Sequence, residues 1–174
     1  MWTFFLKLPT KMYKIHKKVY TNQKRKEVFM EDLLNNLNNF LCDLNVFYRK
    51  LQNYHWNIKG TSFFVIHSKL EEYYDDINDQ IDEIAEHILS IGGQPLGKLE
   101  DYLKSSKILE ASNQKITKDA VLNSICKDYS TLLTDSINIK KLADENSEFK
   151  TSALMDSFIE DYGKKIWMIK QSLK

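Results

Sequence analysis

Four residues in one stretch combine side-chain types and spacings suited to metal chemistry. His55 and His67 offer imidazole nitrogens, and Asp82 and Glu86 offer carboxylate oxygens, a donor set that suits iron and related divalent ions. Glu71 follows His67 by four residues, and Glu86 follows Asp82 by four, so each pair shares a face if the segment is helical. On a straight helix, however, His67 and Asp82 are about 22 Å apart, so one chain cannot close the site. Two chains can. Antiparallel packing of equivalent helices about a two-fold axis brings the histidine end of one to the carboxylate end of the other, and symmetry then makes two sites. The usual intrachain di-iron bundle is a poor match, because it needs Glu-x-x-His on two helices. No histidine here has a glutamate three residues before it.

The elements that must hold these residues are legible as apolar seams. Leu33, Leu37, Phe40, Leu44, Phe47, Leu51 and Tyr54 alternate steps of four and three, predicting a helix from about Glu31 to Asn57 that Gly60 ends. Ile66, Leu70, Tyr73, Ile77, Ile81, Ile84, Ile88 and Ile91 predict a second helix, closed by Gly92, Gly93 and Pro95. Residues 94–116 form a long crossover in which Leu99, Tyr102 and Leu103 mark a short helix. Thr117 can cap a third long helix, and Asn146 or Ser147 can start a fourth. Four long helices with a crossover after the second predict an all-α, ferritin-like four-helix bundle.

Composition agrees with one domain of this kind. Five glycines and two prolines in 174 residues leave few breaks, which favours long helices. Cys42 and Cys126 have neither zinc-site spacing nor the numbers for a disulfide framework, and fit buried thiols in a reducing cytoplasm. No apolar run reaches the eighteen or so residues of a membrane span, so no membrane partner is expected.

Charge is unevenly shared. Residues 1–29 carry eight basic side chains against Glu27, about +7, and residues 30–174 carry about −6. The expected domains are therefore a basic N-terminal extension, 1–29, and a helical domain, 30–174. The extension reads as an arm for nucleic-acid phosphates. It also reads as a flexible, solvated tail, or as sequence upstream of a start at Met30. His16 has no evident partner there. His87 is expected to make a surface contact, with Glu83 one turn away as the alternative, and Trp2 and Trp167 are expected to pack.

The run Tyr54-His55-Trp56-Asn57, Phe63-Phe64, His67, Glu71, Asp82-Glu83-Ile84-Ala85-Glu86 and Gly92-Gly93-Gln94-Pro95-Leu96 resembles the Dps family of ferritin-like proteins. Lys164-Lys165-Ile166-Trp167-Met168 is similar to that family's closing motif. The resemblance spans residues 31–174. It implies a hollow twelve-subunit shell built from two-fold dimers, which oxidises ferrous iron with peroxide or oxygen and stores the mineral. By the same resemblance His55 and His67 are ligands from one subunit and Asp82 and Glu86 from its mate. Glu71 lies near a second iron position, and Trp56 is an oxidisable aromatic beside the site. Acids near the start of the fourth helix, Asp144, Glu145 and Glu148, are expected to line the three-fold entry pores seen in the family and to draw cations inward. Lys165 stands where many members carry histidine, and His87 where arginine is common. Neither removes a ligand. Two other readings stay open: a protective nucleoid protein that binds DNA through its basic arm, and a helical assembly without catalysis that serves as an antigen or scaffold.

Overall fold

The computed structural model describes residues 10–174, with side-chain surroundings from residue 22 onward. Residues 1–9, which include Trp2, and the side chain of His16 lie outside the described residues. The elements are α1 (Thr10–Asn57), β1 (Ile58–Lys59), α2 (Phe63–Ser90), α3 (Leu99–Ser105), β2 (Ile116–Thr117), α4 (Lys118–Glu145) and α5 (Phe149–Ser172). The expected order of four long helices and a short crossover helix is present. The first helix, however, begins at Thr10 and not near Glu31. No glycine or proline interrupts Thr10–Asn57, and lysine and arginine are good helix formers. An apolar seam marks what a helix buries and not how far it runs.

The chain divides into Met1–Asp32 and Leu33–Lys174. In the first unit Gln23 donates to Glu27 one turn on (3.2 Å), and Lys24, Arg25 and Lys26 are exposed. The second unit is the bundle. All seven seam residues of α1 are buried there, with Ile66, Leu70, Tyr73, Ile77, Ile84 and Ile88 of α2. α4 supplies Val121, Leu122, Ile125, Tyr129, Leu132 and Ile139, and α5 adds Met155, Phe158, Tyr162, Ile166 and Ile169. Phe47 meets the edge of Tyr129 at 4.9 Å, and Phe40 lies 5.9 Å from Phe158, joining α1 to α4 and α5.

Three buried charged side chains are handled inside this core. Lys50 of α1 pairs with Asp128 of α4 at 2.7 Å. Asp43 Oδ1 accepts hydrogen bonds from Ser106 Oγ and from the backbone N–H groups of Lys107 and Ile108, fixing the chain just beyond α3. Burial nonetheless raises the Asp43 carboxyl above its ordinary range. Cys42 is buried as expected, and burial pushes its thiol up to about 11; Cys126 is only half-buried.

The end of α2 explains the Gly92-Gly93-Gln94-Pro95-Leu96 run. Gly92 takes a positive φ of 87°, and Gly93 N–H returns to Ile88 O at 2.9 Å, a helix stop that favours glycine. A Cβ on Gly93 would come within 2.3 Å of Leu34 Cδ2. Asn38 then clamps the departing chain, donating to Gln94 O and accepting from Leu96 N–H. Thr117 is the N-cap residue of α4, although its side chain makes no cap bond. Glu148, one residue past the expected start, is the N-cap of α5.

Candidate metal centre

The turn between α1 and α2 sets one histidine against the other. His55 closes α1 and His67 lies in the second turn of α2. Their rings stack with centroids 3.6 Å apart. His55 Nδ1 lies 2.9 Å from His67 O, and His67 Nδ1 lies 2.9 Å from His55 O. A carbonyl oxygen only accepts, so both Nδ1 atoms carry the proton. That fixes the tautomer in which both Nε2 lone pairs are available to a metal. Phe63 stacks on the outer side of His67 at 4.9 Å, and the Tyr74 ring meets His55 edge-on at 5.4 Å.

The turn itself is held by a two-residue parallel ladder absent from the sequence expectation. Ile58 pairs with Ile116 and Lys59 with Thr117, joining the α1–α2 corner to the start of α4. Tyr54 Oη donates to Ser124 Oγ (2.9 Å), Asn53 to Asn113 (2.8 Å) and Lys115 Nζ to Trp56 O (3.4 Å). The crossover thus returns to brace the residues flanking His55.

Glu71 is exposed one turn beyond His67 and accepts from Tyr74 Oη at 3.3 Å. Tyr74 was no sequence candidate, yet its spacing, seven residues after His67 and three after Glu71, puts it on their face. Asp82 and Glu86 are exposed near the other end of α2. Among the described residues, no three His, Cys, Asp or Glu side chains of one chain converge on a point that could hold a metal. The structure therefore brings His55 and His67 together and leaves Asp82 and Glu86 apart from them. Trp56 is 57 % exposed.

Several other expectations are corrected. His87 makes no surface contact: it is half-buried and its Nε2 meets Thr151 Oγ1 of α5 at 2.8 Å, with burial lowering its pKa. Trp167 is 60 % exposed within the chain and does not pack there. Among the three acids expected near a pore, which a single chain does not test, Asp144 accepts from Ser152 (2.6 Å) and faces Lys140 (3.3 Å), and these contacts lower its pKa. Glu145 is exposed and Glu148 half-buried. No helix among the described residues is long and apolar enough to cross a membrane.

Comparison with known proteins gives this arrangement its class. A ferritin-like domain is recognised over residues 34–174. The chain superposes on the Dps protein of Vibrio cholerae O1, described as one of the ferritin-like diiron-carboxylate proteins, with a TM-score of 0.82 and 37 % identity, covering 84 % of this chain and 92 % of that one. Antigen TpF1 of Treponema pallidum also gives a TM-score of 0.82, at 34 % identity, over 84 % of this chain. In sequence, DNA protection during starvation protein 2 of Bacillus anthracis is 36 % identical over 137 residues, which cover 79 % of this chain and 93 % of that protein. The fold is that of a ferritin-like protein. Within that class, the chain belongs to the Dps family.

Proposed function

We propose that this chain is an iron-oxidising and iron-storing mini-ferritin that protects against peroxide and iron damage, with its ferroxidase site shared across a two-fold subunit interface. The observation that carries this reading is the reciprocal bonding of His55 and His67, which leaves two Nε2 donors side by side. His55, His67 and Glu71 are read as one half of the site, and the partner subunit's Asp82 and the partner subunit's Glu86 as the other. The assembly is read as a homo-oligomer of such dimers, a dodecamer as in the family. Membership of a family that includes a diiron-carboxylate protein supports iron as the metal.

Iron is the substrate here. The carboxylates neutralise and hold ferrous ions, the imidazoles complete the donor set, and hard oxygen donors favour the ferric product. With peroxide, two ferrous ions each give one electron, the O–O bond breaks, and two protons are taken up as two waters form. Oxygen is the alternative oxidant. Trp56 stands beside His55 as an oxidisable ring, and Asp144, Glu145 and Glu148 are read as acids that draw cations toward the interior.

Complementation tests the shared site directly. His55→Ala and Asp82→Ala should each abolish rapid ferrous oxidation while the shell assembles. Co-assembling the two variants should restore about a quarter of the parent rate, because each mixed dimer rebuilds one of its two sites. A site formed within one chain would show no such recovery.

A second reading is favoured by the exposed Lys24, Arg25 and Lys26 and by relatives named for DNA protection. In it the basic arm contacts DNA phosphates and iron oxidation is secondary. We place the protein in the cytoplasm, at the nucleoid if DNA is bound. Removing residues 1–29 should then eliminate a salt-sensitive mobility shift; an intact protein that shifts no DNA at low salt ends this reading.

A further inference from the structure

The outer face of α2 carries most of the proposed ligands, and its inner face meets α5 through polar contacts of defined geometry. Lys165, 8 % exposed, directs its ammonium at Asp161 Oδ2 (2.6 Å) and at Asp76 Oδ2 of α2 (3.1 Å). The Tyr73 and Tyr129 rings lie 6.0 and 5.8 Å from it. Gln80, buried on α2, is bonded at both ends of its amide. Tyr162 Oη donates to its Oε1 at 2.5 Å, and its Nε2 donates to Asp161 Oδ2 at 3.4 Å.

The ion pairs are a poor source of net stability, because Asp76 is 53 % and Asp161 36 % exposed and water screens their attraction to Lys165. What hydrogen bonds around the buried Lys165, Gln80 and Tyr162 supply is a single geometry. The rest of the inner face is Ile66, Leu70, Ile77, Ile84 and Ile88, aliphatic surface that can repack after a small slip or rotation. Hydrogen bonds weaken steeply when misaligned.

We propose that the network of Lys165, Asp76, Asp161, Gln80 and Tyr162 sets the rotation and register of α2 in its own bundle, making Lys165, Gln80 and Tyr162 positioning residues for the metal site. This inference rests on the shared site proposed above. Asp76 and Gln80 lie between the two ligand groups, after His67 and Glu71 and before Asp82 and Glu86. A turn of α2 therefore displaces both groups together. Each two-fold site takes one end from each copy of α2, so the displacement enters every site twice.

The test is Co2+ titration of the assembled protein, with thermal unfolding measured on the same samples. Lys165→Met should weaken Co2+ binding about tenfold, since metal sites demand placement within about 0.5 Å. Tyr162→Phe, which removes one hydroxyl from a packed ring, should move affinity the same way. Lys165→Arg, which keeps a cation between the carboxylates, should lie near the parent. Melting temperatures should not follow this order. If Lys165→Met does not assemble, Tyr162→Phe decides. Parent affinity in assembled Lys165→Met and in Tyr162→Phe overturns the inference alone, provided that His55→Ala abolishes binding. Parent binding that survives His55→Ala overturns the shared site, and this inference with it.

Discussion

His55 and His67 hold each other by the backbone: each Nδ1–H is given to the carbonyl oxygen of the other residue, at 2.9 Å both ways. Neither imidazole is oriented by a carboxylate, the other common arrangement for a metal-binding histidine. The orientation of each ring depends on the other residue being in place.

His67→Ala should therefore remove one donor and loosen the other. Stopped-flow measurement of ferrous oxidation should find His55→Ala, His67→Ala and the double variant all slowed by a factor of about a hundred or more, with the double no slower than the worse single. Independent, multiplying losses would show that the two rings do not act as a unit.

The Lys50–Asp128 pair makes a stability prediction. Both side chains are 8 % exposed. Lys50→Met leaves the Asp128 carboxylate buried without its cation and should cost about 3–5 kcal/mol in chemical denaturation. The double change Lys50→Met with Asp128→Leu should recover most of that loss.

Two adjacent glycines should fail for different reasons. Gly93→Ala drives a methyl into Leu34 and Ile88, with Cβ distances of 2.3 and 2.9 Å, and should cost about 1–3 kcal/mol through overpacking. Gly92→Ala meets nothing within 4 Å, but its φ is +87°, so backbone strain of about 1–2 kcal/mol is expected. Shortening Leu34 to Ala should relieve part of the first penalty, leaving the Ile88 contact, and none of the second.

Asp43 predicts a pH effect of definite sign. Its carboxyl pKa is raised by burial from the ordinary 3.8, so over the interval above that value the folded chain binds more protons than the unfolded one. The Asp43 contribution to stability is then largest at low pH and declines as pH rises through the raised pKa. Asp43→Asn, which keeps an oxygen for Ser106, should remove this decline. Urea midpoints at pH 4 and pH 7, compared between parent and variant, measure it.

Much of this was legible because helical periodicity is a repeated signal. The α2 seam names six of its seven buried residues, all but Gln80. Polar core residues give no such signal: Gln80 of α2 and Lys165 of α5 look like surface residues in a helical pattern, and only their neighbours Tyr162, Asp76 and Asp161 show what they do. The N-terminal part of α1 was missed because a basic helix carries no comparable apolar seam. The bonds that orient His55 and His67 end on backbone carbonyls, which every residue has, so no side-chain pattern could announce them. The ladder of β1 and β2 is two residues long, too short for an alternating pattern to emerge.

That ladder also bears on the order of events as the chain folds. Ile58 and Ile116 are far apart in sequence, with α2 and α3 between them, and closing so long a loop is slow compared with winding the helices on either side. The α1–α2 corner is thus sealed only after the start of α4 has been made and delivered to it. The brace on the α1–α2 corner therefore forms late, after the helices on either side of it have wound.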